Sequence, residues 1–330
     1  RFISGTLSTS SKDVGVYDSS GLLVPNITTE LGIDNYEISY SARLEITPAT
    51  LINVTVTGYS ASYDKQSHCV VSSYTATTVD GSETYIEVSL NGIDYTEPYD
   101  IKDHCERFEL FCRVSAANHQ SAVTVVYVEI TKAIVGDPAP EEFGVKIYTG
   151  TTLVSDIQDS EFYIVTMNDG GIAVGYYDVE LTLRDPGNYT WSDVDTAAKV
   201  FEGAFRIIYE TLKLSITGTS VFSGEQFSVA VTNEHVVSGL APGDSITGGK
   251  ISTVGITVGT YTQWEETEEI TTDFGIENYR LEIEVELEIT KKDMAITINS
   301  TSPYNTDFIL NNLSDILSND IVPGDSFTKG

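Results

Sequence analysis

The chain has 330 residues and carries 18 Lys+Arg against 49 Asp+Glu, for a net charge of −31. That balance argues against a nucleic-acid-binding surface or attraction to an anionic membrane, both of which need basic patches. No apolar run is long enough to span a bilayer, so membrane insertion is not expected. Short apolar runs rich in Thr, Val, Ile and Tyr, punctuated by Gly and Asn, point to strands throughout.

Residues 1–50 carry DVGVY (13–17), then LLVPNITTELG, then an Asn35-Tyr36 pair and a strand ending at Thr47. Asp-x-Gly-x-Tyr before a strand is the tyrosine-corner pattern of immunoglobulin-like sandwiches, here placing Tyr17. The segment supplies the closing strands of a sandwich without its opening ones, and it is too small to bury a core alone.

Residues 51–135 read as a complete unit, in which FELFCRVSA (108–116) is the expected sixth strand and Phe108 takes the corner tyrosine's place. All three cysteines fall here. Cys112 shares parity with Phe108, Leu110 and Val114 and should face the core, whereas Cys105 has the opposite parity and Cys69 opens an earlier strand. A Cys69–Cys112 bridge is the expected use, with Cys105 as the alternative partner and free thiols as the third outcome; a bridge implies an oxidising, extracellular setting. His68-Cys69 and His104-Cys105 lack the spacing of a zinc site, so no metal is expected there.

A proline-bracketed linker, GDPAPEE (136–142), opens the unit 136–211, in which VGYY (174–177) repeats the corner at Tyr177. Trp191 with Asp193 and Asp195 resembles a loop calcium site or sugar platform, against which turn chemistry is the plainer reading. Residues 212–291 form the next unit, with a corner at Tyr261 and the strand LEIEVELEIT (281–290). Its Leu281, Ile283, Val285, Leu287 and Ile289 alternate with Glu282, Glu284, Glu286 and Glu288, the pattern of one buried and one wet face. Calcium along this flat glutamate row is a weaker reading, because the ion wants six to eight surrounding oxygens. No other cofactor is expected.

The surroundings of that strand recur. GIENYRLEIEVELEIT (275–290) matches GIDNYEISYSARLEIT (32–47), and weaker copies run from Asn118 and Asn188, each an Asn-aromatic turn followed by a terminal strand. Thr47, Thr131, Thr211 and Thr290 are the expected strand ends, about one small sandwich apart. Residues 292–330 open a further unit: MAITINSTS (294–302) parallels LKLSITGTS (212–220), and IVPGDSFTKG (321–330) parallels LAPGDSITGG (240–249). They are the opening half of a sandwich whose closing half looks like residues 1–50. The expectation is a neighbouring copy that completes it, head to tail, either as one period of a continuous repeat or by strand exchange between subunits.

Taken together, GYSASYDKQSH (58–68), VGYYDVELTLRDPGNYTW (174–191), GLAPGDSITGG (239–249) and NYRLEIEVELEITKKD (278–293) resemble bacterial immunoglobulin-like tandem repeats of the MBG and YDG kind from long surface proteins and adhesins. Asp64-Lys65 stands where such repeats have Asp-Gly after the tyrosine. The resemblance implies an all-β string of sandwiches acting as an extracellular, cell-surface spacer or fibre, with no catalytic residues to carry over. The alternative is an adhesin module that grips glycans or proteins through loops at the sandwich ends. No nucleophile–base motif or phosphate loop appears, and the chain is not expected to be an enzyme. Asn-x-Ser/Thr sequons at Asn26, Asn53, Asn188, Asn299 and Asn312 are candidate glycosylation sites, Asn188 having a turn role besides.

Overall fold

The computed structural model describes residues 2–9, 11–18, 23–37, 39, 41–296 and 321–326. Two compact units divide the chain, residues 1–137 with 185–197, and residues 138–184 with 198–330. The protein is an all-β array of immunoglobulin-like sandwiches. Among the described residues no helix is long and apolar enough to cross a membrane.

In the first unit, Phe2–Thr9 pairs antiparallel with Leu23–Thr29, and β1 (Gly15–Asp18) pairs antiparallel with β2 (Arg43–Ile46). The next sandwich sets β3 (Ile52–Gly58) against β4 (Val71–Thr77) on one side. On the other, β5 (Thr84–Ser89), β6 (Cys105–Ala116) and β7 (Ala122–Thr131) form a sheet whose edge is Ser60–Ser62, parallel to β7. Alternation along β6 and β7 sends Leu110, Cys112, Val126 and Val128 into one core with Val70, Val71 and Val88, all under a tenth exposed. Side chains of period two can fill a core from only one face of each strand, so Val123, Val125 and Tyr127 stay wet on the other.

The second unit begins with a sheet ordered Val145–Ile147, β10 (Ala198–Ile208), β9 (Gly175–Leu183) and β8 (Tyr163–Met167). The following sandwich packs Ser228–Ala230, β12 (Ile246–Thr253) and β14 (Trp264–Thr272) on one side. Its other sheet holds Val236–Ser238, β11 (Glu210–Val221), β15 (Tyr279–Thr290) and β13 (Gly259–Tyr261). β11 and β15 run parallel in unbroken register from Glu210 beside Tyr279 to Val221 beside Thr290. On β15 the four glutamates face solvent while Val285, Leu287 and Ile289 are buried, and Lys213 on β11 reaches Glu282 at 3.1 Å.

One register recurs through the array. The residue opening each corner strand lies opposite an isoleucine: Gly15–Ile46, Cys105–Ile130, Gly175–Ile207 and Gly259–Ile289. The aromatic follows opposite Leu44, Val128, Phe205 and Leu287 respectively. This register moves one expected strand end. Ile208, one residue past Ile207, occupies the position of Thr131 and Thr290, while Thr211 already lies inside β11. The residue type changed at that position, and the nearest threonine was a misleading marker.

Candidate functional site at the domain junctions

Each corner phenol donates to the carbonyl four residues before it: Tyr17 to Asp13, Tyr177 to Ala173 and Tyr261 to Thr257, all at 2.6 Å. The phenol thereby ties the loop to its own strand, and the backbone N–H three residues before the tyrosine lies inside the loop so closed. That N–H must find an acceptor or stay in water.

The Asn-aromatic turns supply the acceptor. Asn118 Oδ1 accepts the Val14 N–H at 3.0 Å, and its Nδ2 donates to Asp13 Oδ1 at 3.0 Å. Asn118 has φ of +57°, a left-handed conformation that asparagine tolerates better than most residues. Its carbonyl accepts the Ala49 N–H at 3.0 Å, and His119–Gln120 then pairs in parallel with Ala49–Thr50.

At the next junction in the first unit the same set returns. Asn188 Oδ1 accepts the His104 N–H at 2.7 Å, while Nδ2 donates to Asp185 at 2.9 Å and Asp103 at 3.3 Å. The Asn188 carbonyl accepts the Ala133 N–H at 2.9 Å, and Tyr189–Trp191 pairs in parallel with Ala133–Val135. Tyr189 meets Tyr63 edge-on at 5.4 Å, and Lys132 bridges to Asp195 at 3.0 Å. That lysine holds the Asp195 carboxyl below its ordinary range.

Within the second unit Asn278 Oδ1 accepts the Val174 N–H at 2.8 Å. Here Nδ2 turns inward, donating to Phe274 and Gly275 carbonyls at 2.8 and 3.3 Å, which ties the single 3₁₀ turn Ile276–Asn278 shut. Asn278 is 3% exposed. The neighbouring Tyr279 is buried, donates to Asp244 at 2.6 Å and accepts the Ala241 N–H at 3.1 Å. Its ring meets Tyr148 edge-on at 5.3 Å.

The junction asparagine is thus a two-sided latch: its side-chain oxygen holds the preceding sandwich's corner, and its carbonyl or next residue holds the linker strand. A typical hydrogen bond of this kind contributes about 1 kcal/mol, and leaving a buried partner unpaired costs about 1–3 kcal/mol. In the sequence the Asn-aromatic pair marks the repeat; its role as an acceptor depends on which corner folds beside it, and no local pattern encodes that.

Several expected site residues land elsewhere. Asn188, a candidate glycosylation site, has both side-chain atoms engaged in the latch. Asn26 and Asn53 are exposed, and Asn299 and Asn312 lie outside the described residues. Trp191 is 2% exposed with its indole N–H on the Ala197 carbonyl at 3.2 Å, so it presents no platform to a sugar, and Asp195 is turned to Lys132. Trp264 is half-buried.

The bridge expected between Cys69 and Cys112, or Cys105, is not formed; all three are free thiols. Cys112 is fully buried, its thiol 3.8 Å from the Leu110 carbonyl, and Cys69 packs at the edge of the same core from the two-residue strand His68–Cys69. Burial pushes the Cys112 thiol up to about 11. His68 stacks on Tyr59 and bonds Asp64, while His104 Nδ1 lies 2.6 Å from the Ile130 carbonyl. Among the described residues no group of three His, Cys, Asp or Glu is placed to hold a metal ion.

No family model and no curated protein matches the chain. Among solved structures it is similar to SGBP-B of the Bacteroides ovatus mixed-linkage glucan utilization locus, in complex with a mixed-linkage heptasaccharide, at 12% identity over 79% of this chain and 74% of that one, with a TM-score of 0.16. It is also similar to the N-terminal eight Ig domains of Down Syndrome Cell Adhesion Molecule, at 8% identity over 87% and 40% of the two chains and a TM-score of 0.20. A third is the Protocadherin GammaB4 extracellular domain, at 9% identity over 92% and 63% and a TM-score of 0.20. The chain therefore spans less than two thirds of the last two. At such scores whole chains do not superpose, and the fold rests on the strand pairings described above.

Proposed function

We propose that this chain is a structural repeat unit of an extracellular surface fibre or stalk, of the MBG and YDG kind, assembled head to tail. In this reading residues 292–330 of one copy and residues 1–50 of the next form one sandwich. The observation that carries it is the repeated latch: Asn118, Asn188 and Asn278 each join a sandwich end to the preceding corner by the same side-chain acceptor. Linkers that enter a parallel strand pairing within a residue or two of the terminal strand leave little freedom between neighbours, which suits a load-bearing string. The net charge of −31 spreads acid over solvent faces such as the glutamate row and opposes sideways sticking.

The split sandwich is supported by sequence correspondence and by register. β1 and β2 already pair as a corner strand with a terminal strand, Gly15 opposite Ile46, in the register of the complete sandwiches. The parallel partner that β11 gives to β15 has its counterpart, by the match of 294–302 to 212–220, in the segment after Lys292. Sedimentation velocity over a concentration series tests the reading. A ladder of end-to-end oligomers growing with concentration is expected, and a fully folded monomer at every concentration contradicts it.

A further inference from the structure

We infer that the Asn35 turn of one copy latches onto the Val258 amide and the Lys292 backbone of a second copy; the inference rests on the head-to-tail reading and names its contact. The acceptor side is already built. Residues Ile33–Asn35 form a single 3₁₀ turn entered from Gly32 at φ 88°, ψ 133° and left through Tyr36 at φ −130°, ψ 135°. The Asn278 turn is entered from Gly275 at φ 92°, ψ 121° and left through Tyr279 at φ −119°, ψ 148°. In both, a glycine supplies a positive φ that other residues resist. Asn35 Nδ2 donates to the Leu31 and Gly32 carbonyls at 2.6 and 3.4 Å, as Asn278 Nδ2 does to Phe274 and Gly275. The two turns differ in what meets their oxygen. Asn278 Oδ1 holds Val174, whereas among the described residues Asn35 Oδ1 accepts nothing. Asn35 is exposed and Tyr36 is 51% exposed, where Asn278 and Tyr279 are 3% and 6%.

The receiving side is defined by the same rule. The latched N–H belongs to the residue three before the corner tyrosine, Val14 before Tyr17 and Val174 before Tyr177. The third corner offers Val258 before Tyr261, and among the described residues the Val258 N–H donates to nothing. The linker N–H that bonds the latch carbonyl lies two residues past the terminal strand's last position. It is Ala133 after Thr131, and Ala49 after Thr47. After Thr290 that residue is Lys292, which among the described residues enters no strand pairing. Val258 and Lys292 line one cavity of about 300 Å³, together with Phe222, Lys291, Met294 and Val322. The corner residue and the linker residue therefore border the same space.

Charge agrees with the fit. Asp34 and Glu37 flank Asn35 on an exposed turn, and the cavity lining carries two bases, Lys291 and Lys292, against one acid, Asp325, in a chain with only 18 basic residues. At the Asn188 junction Lys132, one residue past Thr131 as Lys291 is past Thr290, bridges to Asp195.

The test uses the full chain, with association measured by sedimentation and amide exchange read by mass spectrometry. On association, peptides containing residues 31–36, Val258 and Lys292 gain protection, and Asn35→Ala weakens association roughly tenfold, the equivalent of one hydrogen bond with its buried partner left unmade. Lys292→Glu, which leaves the turn intact, weakens it in the same direction, and by more at low salt than at high salt. Association of the wild type with no added protection at Val258 and Lys292, or association of Asn35→Ala at wild-type strength, overturns the latch and leaves the head-to-tail reading standing. A wild-type chain that stays monomeric overturns both.

Discussion

Asn278 Oδ1 accepts the backbone N–H of Val174 at 2.8 Å across 104 residues of chain. One side-chain oxygen thereby ties the turn before one terminal strand to the tyrosine corner of the preceding sandwich. Removing it should be felt as stability. Asn278→Ala leaves the partly buried Val174 amide without its acceptor and unties the Ile276–Asn278 turn, for an expected cost of about 1–3 kcal/mol. Asn35→Ala, at an exposed turn, should cost well under 1 kcal/mol in the dilute, unassociated chain. Urea denaturation of both variants checks the contrast, and equal losses would contradict the latch account.

Lys65 has φ of +69°. It follows Asp64, whose carboxylate accepts the Gln66 N–H at 2.8 Å and lies 3.0 Å from His68, at the place where the resembling repeats carry glycine. A left-handed lysine stores backbone strain that glycine lacks. Lys65→Gly should therefore stabilise this sandwich by about 0.5–1 kcal/mol, the relief of strain exceeding the added freedom of the unfolded chain. A rise in melting temperature checks it.

Burial, with the Asp244 hydrogen bond adding to it, pushes the Tyr279 phenol well above its ordinary value of 10.0. The folded state then holds the proton more tightly than the unfolded state. Stability from this source is full below pH 10 and falls as pH rises above 10, where the unfolded phenol ionises first. Tyr279→Phe should cost about 1–2 kcal/mol at neutral pH through the lost Asp244 and Ala241 bonds. The gap between variant and wild type should narrow above pH 10. Unfolding curves at pH 7 to 11 read both.

Cys112 is sealed in the core with its thiol pushed up to about 11, while Cys69 and Cys105 are only half-buried. Native alkylation near pH 8 should label Cys69 and Cys105 and spare Cys112 until the chain is unfolded, because the thiolate is the reactive form. Protection of Cys69 together with Cys112, released by reductant, would instead reveal the bridge.

Much of the fold was legible because strand alternation and corner chemistry are local. The period of two in β15 puts Glu282, Glu284, Glu286 and Glu288 in water and Val285, Leu287 and Ile289 inside, and the spacing of Asp13 from Tyr17 becomes a hydrogen bond. What was hidden depends on partners far away in sequence. The Asn-aromatic pair was visible as a recurrence, yet its acceptor role appears only when Asn118 meets Val14 and Asn188 meets His104. Trp191 with Asp193 and Asp195 resembles a calcium loop or sugar platform in sequence, whereas its ring is buried and the aspartates are exposed. Thr211 misled because register follows the isoleucine row and ignores the identity of the next residue.

Electron cryomicroscopy of the concentrated full chain tests the central claim most directly. The account predicts linear head-to-tail filaments in which the strand from Tyr36 to Thr47 lies parallel to residues 292–303 of the neighbouring copy, with Tyr36 beside Lys292 as Tyr279 is beside Glu210. Single folded particles with no end-to-end contact, or filaments in which the Asn35 turn lies away from Val258, would contradict it.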